Sequence, residues 1–144
     1  MPIFAQQSRA ALRQTYLDAW RRRCSGAVLS ALDAQIATVI GEHPEYHAWL
    51  ENDAALLAEE FDPAEGRGNP FLHLGMHLAI REQIATDRPG GIQAVHAALA
   101  QRHGSALEAE HRMMEALGET LWEAQRAGLA PDEQAYLRRL QRLR

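Results

Sequence analysis

Apolar and polar residues along this chain recur at helical spacing, with no sustained alternation of the kind a half-buried strand shows. The first periodic segment runs from Ser8 to about Cys24, with Leu12, Tyr16, Ala19 and Trp20 on one stripe and Ser25-Gly26 ending it. Ser30 is the expected N-cap of a second helix, because its hydroxyl can accept from the backbone N–H groups that a helix start leaves unpaired. Pro44 lacks a backbone N–H, which is harmless only in a first turn, so HPEYHAWL is expected to open helical with His43 near its cap. Gly, Pro and Asp content marks Phe61 to Asn69 as a loop, and Asn69-Pro70 then repeats the cap-plus-proline signal. The helix it starts ends before Asp87-Arg88-Pro89-Gly90-Gly91, and another spans about Ile92 to Arg102. Ser105 with Glu108 forms a capping box; the helix behind it reaches about Arg126 and stops at Gly128. Pro131 opens a last amphipathic helix with Tyr136, Leu137, Leu140 and Leu143 on its apolar side.

Short connections predict that successive helices pack antiparallel. With 144 residues, the chain is expected to be one all-α domain over residues 1–144, a compact helical bundle of six or seven helices. No internal repeat and no low-complexity segment interrupts it.

One stretch breaks the apolar pattern in an informative way. FLHLGMHLAI, residues 71–80, carries His73 and His77 one helical turn apart among hydrophobic neighbours. Five of the seven histidines fall into three groups: His43 with His47, His73 with His77, and His111 followed by Glu115. Chance would give about 0.3 His–His pairs four residues apart in such a chain, and two are present. Residues four apart project from the same side of a helix. His73 and His77 share a face with Ile80 and Ile84; His111 lies within the arc of Leu107, Met114, Gly118 and Leu121, with Glu115 on its edge; His43 and His47 share a side with Tyr46 and Leu50. Each group is therefore expected to face inward.

Several imidazoles gathered away from water must stay neutral or be compensated, because desolvation and mutual repulsion disfavour their charged forms. A divalent transition metal solves that problem, since neutral imidazoles and ionised carboxylates are its ligands. The expected ligands are His43, His47, His73, His77, His111 and Glu115, with Glu108 and Glu119 next in line. Nitrogen and oxygen donors without thiolate point to iron, manganese, zinc or nickel, and away from calcium. The inventory is similar to that of dinuclear non-haem iron sites in hemerythrin-like bundles. Glu108-x-x-His111 has the spacing used by di-iron carboxylate bundles, which carry that motif twice where this chain has it once. Such a site would serve an oxygen, redox or hydrolytic role; nothing in the sequence selects among them or establishes that the chain is an enzyme.

Composition removes several alternatives. Net charge is −4, so a nucleic acid is not the expected partner, although Arg21, Arg22 and Arg23, and Arg138, Arg139, Arg142 and Arg144, make both ends locally basic. Lysine is absent, which excludes a Schiff-base lysine and a phosphate-loop lysine. The lone Cys24 excludes an internal disulfide and a thiolate-rich metal site, and suits a reducing cytoplasm. No apolar run approaches the roughly 18 residues of a membrane span, and MPIFAQQSRA lacks the pattern of a secretory signal. The expected partner is thus a small molecule or a protein of unknown identity. A second class of function also remains: a non-enzymatic helical interaction module, whose histidines only hold helices together while Trp20 with its arginines, or the basic last helix, binds another protein.

EHPEYHAWLE, NPFLHLGMHLAIREQ and EAEHRMMEALGETLWEAQR together resemble the bacterial domain of unknown function 1841 proteins, over roughly Tyr16 to Tyr136. The chain has Gly90-Gly91 where Pro-Gly is expected, and Ala116 where a cysteine is common, so it lacks a thiol there. The resemblance implies a small, soluble bacterial protein and brings no activity, substrate or partner with it.

Overall fold

The computed structural model describes residues 8–51 and 69–144, and among these every regular element is helical. The helices are α1 (Ser8–Ser25), α2 (Ala31–Gly41), a 3-10 turn (Pro44–Tyr46) leading into the single turn α3 (His47–Leu50), α4 (Pro70–Thr86), α5 (Ile92–His103), α6 (Ala106–Ala127) and α7 (Glu133–Arg142). The fold class is all-α, as the periodicity predicts. The Phe61–Asn69 loop lies outside the described residues except for Asn69.

Local chemistry sets the boundaries. Ser30 Oγ accepts from Asp33 N at 3.0 Å, Asn69 Oδ1 accepts from Phe71 N at 3.0 Å, and Ser105 Oγ accepts from Glu108 N at 3.1 Å. Each bond satisfies a donor that the first turn leaves unpaired. Gly128, with φ of 67°, takes the left-handed conformation that ends α6 and costs little without a Cβ. The last helix starts later than Pro131 suggests. Asp132 is its cap, accepting from Gln134 N and Ala135 N at 3.0 and 3.1 Å, which leaves Pro131 just outside.

Two compact units are distinguished, Met1–Gly75 and Met76–Arg144, and α4 runs through both. In the first, α1 packs on α2. Leu17 and Ala19 are buried with Ile36, Ala37, Val39 and Ile40, and Arg22 Nη1 holds Asp33 Oδ2 at 2.9 Å. The expected α1 stripe needs a correction: Leu12 is 58% exposed and Arg13 is only 3% exposed. Arg13 lays its guanidinium 4.9 Å from the Phe71 ring centroid, while Tyr16 stacks on the same ring at 5.8 Å. A long stem and a cation–π contact let arginine fill an inward position that apolarity alone would give to leucine. Gly75 permits the close approach of α4 to Tyr16, since a Cβ there would meet the phenol oxygen at 3.2 Å.

In the second unit, α5, α6 and α7 enclose Ile80, Ile92, Val95, Leu99, Ala109, Met113, Leu117, Tyr136 and Leu140. Fully burying an Ile or Leu contributes about 1.5–3 kcal/mol, so this core dominates the unit's stability. Tyr136 donates to Gln83 Oε1 at 2.6 Å, tying α7 to α4, and Arg139 Nη1 donates to Thr120 Oγ1 at 2.8 Å. Trp122 is 56% exposed, with Arg126 over its ring. Among the described residues, no helix is long and apolar enough to cross a membrane.

Candidate functional site

Each unit carries one histidine pair. In the first, the end of α2 presents His43, which is 2% exposed. Its backbone N–H donates to Ile40 O at 2.9 Å, and its ring Nδ1 lies 2.8 Å from Val39 O. A carbonyl oxygen can only accept, so Nδ1 carries the proton and the lone pair of a neutral His43 is on Nε2. His73 Nε2 lies 3.2 Å from that atom. The two rings meet edge to face, 5.0 Å apart and inclined by 79°. Tyr46 lies parallel to His43 at 5.6 Å and edge-on to His73 at 6.0 Å, and burial, then the charge of Glu45, pushes its phenol pKa up.

In the second unit, His77 is fully buried and its Nδ1 donates to Glu110 Oε1 at 2.8 Å. Arg81 Nε donates to both oxygens of the same carboxylate, at 3.0 and 3.2 Å. Burial alone would push the Glu110 carboxyl up, but the hydrogen bonds from His77 and Arg81 outweigh it and hold the group below its ordinary value. The His111 ring stands 4.8 Å from His77 at 66°, another edge-to-face pair. His111 Nδ1 faces Glu108 Oε2 at 3.4 Å, a long and weak contact that Glu108 shares with Arg112.

The remaining expected ligands sit elsewhere. His47 Nε2 donates to Ile40 O at 2.8 Å, and its ring packs on Trp20 at 4.5 Å. Glu115 is exposed, and Glu119 is 59% exposed and pairs with Arg139 at 3.6 Å. The buried side of α6 carries Ala109, Glu110, Met113, Met114, Ala116, Leu117 and Thr120. His111 is at the margin of that arc, and Glu115 lies about 40° further round at about 100° per residue, on the solvent side. Glu110 is the residue the sequence pattern hid. The signal was there: it stands three and four residues before Met113 and Met114 and seven before Leu117, which are inward positions of one helix.

Chemically, three of these imidazoles rest their Nδ1 on an oxygen acceptor: His43 on a carbonyl, His77 and His111 on carboxylates. That arrangement fixes the tautomer and directs the Nε2 lone pair outward, as outer partners do for metal-binding histidines. The 3.2 Å between His43 Nε2 and His73 Nε2 also suits two ligands of one ion, since nitrogens about 2.0–2.1 Å from a tetrahedral centre stand about 3.3 Å apart.

No curated protein and no solved structure matches the chain. A family model described as Domain of unknown function (DUF1841) matches residues 8–142. With nearly its whole length covered, the chain belongs to the DUF1841 family.

Proposed function

We propose that this is a metal-binding helical protein in which the imidazoles of His43, His73, His77 and His111 serve as ligands of a divalent transition metal. The observation that carries the reading is that each compact unit sets a histidine of α4 against a second imidazole. His73 and His77 lie four residues apart on α4, and each is already the edge-to-face neighbour of a second imidazole.

Imidazole donors without thiolate favour zinc, iron or nickel over manganese, which prefers oxygen. Glu108 and Glu110 face imidazole Nδ1 atoms, so they act as outer partners of the ligands and not as bridging ligands. Neutral imidazoles leave the ion's charge intact, so it acts as a Lewis acid toward water or a small anion wherever its geometry holds a position open. The exposed thiol of Cys24 fits a reducing cytoplasm.

Metal content decides this. Protein stripped of metal and reloaded with zinc, cobalt, nickel, iron(II) or manganese should retain at least one of these metals in stoichiometric amount and unfold at a higher temperature, since an ion bound only by the folded chain stabilises it. The His77→Ala/His111→Ala protein should lose both effects. A folded wild-type chain that keeps none of the five metals overturns the proposal.

A further inference from the structure

We infer that Glu110, clamped by Arg81, is the positioning residue of this metal site: it fixes the His77 ring and supplies the negative charge that the imidazole ligands lack. The inference rests on the metal reading above and adds a residue that touches no ligand position itself.

Three observations carry it. First, His77 is 0% exposed and Glu110 5% exposed, so neither group can turn to water for a partner. Second, Oε1 of the carboxylate accepts from both His77 and Arg81, while Oε2 accepts from Arg81, so the group is held rigidly as an acceptor. Third, among the described residues only Asp33 and Glu110 are buried acids, and Asp33 is taken by Arg22. A neutral acceptor is enough to orient an imidazole, as Val39 O does for His43. Burying a carboxylate costs more; Arg81 offsets part of that cost, as Arg22 does for Asp33, and a cation coordinated by the same imidazole would offset more of it. The other carboxylate of this kind, Glu108, is a poorer partner: its side chain is 41% exposed and lies 3.4 Å from His111.

The test is a cobalt(II) titration of the full chain, read by visible absorption and by competition with zinc. Glu110→Gln keeps size and an acceptor oxygen but removes the charge. It should bind about 10–100-fold more weakly than the wild type, the usual effect of losing an outer partner. Leu99→Ala, a core change away from the site, is the control for destabilisation and should keep wild-type affinity under conditions where it is folded. Should Glu110→Gln fail to fold, Arg81→Met/Glu110→Gln removes both charges together and should show the same weakening. In the metal-free wild type, nitrogen-15 spectra should place the His77 proton on Nδ1. Cobalt affinity equal to the wild type's in a folded Glu110 variant overturns the inference and leaves the metal site standing. A wild type that keeps none of the five metals removes both, and where the metal kept is nickel, iron(II) or manganese the same comparison is read with that metal.

Discussion

His73 Nε2 stands 3.2 Å from His43 Nε2, and only one proton fits between them. With His43 Nδ1 committed to Val39 O, that proton belongs to His73 when both rings are neutral. A metal ion would take its place by drawing on both lone pairs. His43→Ala and His73→Ala should therefore each weaken metal binding by more than the roughly 10–100-fold that loss of an outer partner costs. Competition titrations check this; unchanged affinity in either variant would remove that histidine from the ligands.

His47 should behave differently. Its Nε2 already donates to Ile40 O and its ring lies on Trp20. His47→Ala should leave metal affinity intact and lower stability by about 1–2 kcal/mol, for one net hydrogen bond and one ring contact. Urea unfolding of the metal-free protein measures the loss, and a loss of metal binding at full stability would make His47 a ligand instead.

Tyr136 gives the chain an alkaline limit. Burial pushes its phenol above the ordinary 10.0, and the opposing hydrogen bond to Gln83 is the weaker influence. The folded chain therefore favours the neutral phenol. The stability this contributes is intact below pH 10.0 and is lost as pH climbs above it. Tyr136→Phe should cost about 0.5–1.5 kcal/mol at neutral pH through the lost bond to Gln83. It should also flatten the alkaline fall in stability. Unfolding midpoints measured on both proteins from neutral to strongly alkaline pH would show it, and parallel curves would speak against it.

Ser105 caps the helix that carries Glu110 and His111. Ser105→Ala should reduce stability by about 1 kcal/mol, the typical loss of an N-cap oxygen. Metal affinity at low temperature should not change, because both residues lie beyond the first turn. Thermal unfolding and a zinc titration on the same preparation separate the two effects.

The helix ends at Ser30, Asn69-Pro70, Ser105 and Gly128 were legible because each is decided by a few adjacent atoms, whatever the rest of the chain does. The inward-facing His73 and His77 were legible from their four-residue spacing among apolar neighbours, but not the imidazoles they meet, His43 and His111. What needed coordinates was the rotation of each helix about its axis. On α1 Ala19 faces inward as expected, but Leu12 is exposed and Arg13 beside it is buried instead. On α6 the buried arc is centred near Met113 and Leu117 instead of on His111, which turned Glu115 to solvent and Glu110 inward. A charged residue inside is paid for by partners distant in sequence, here His77 and Arg81, and pairing of that kind leaves no trace in local periodicity.

X-ray absorption at the metal edge of zinc-loaded protein examines ligation by these imidazoles most directly. The spectrum should fit nitrogen neighbours at about 2.0–2.1 Å with the outer-shell scattering of imidazole rings. A zinc ion surrounded by oxygen alone, with no imidazole scattering, would contradict the proposal.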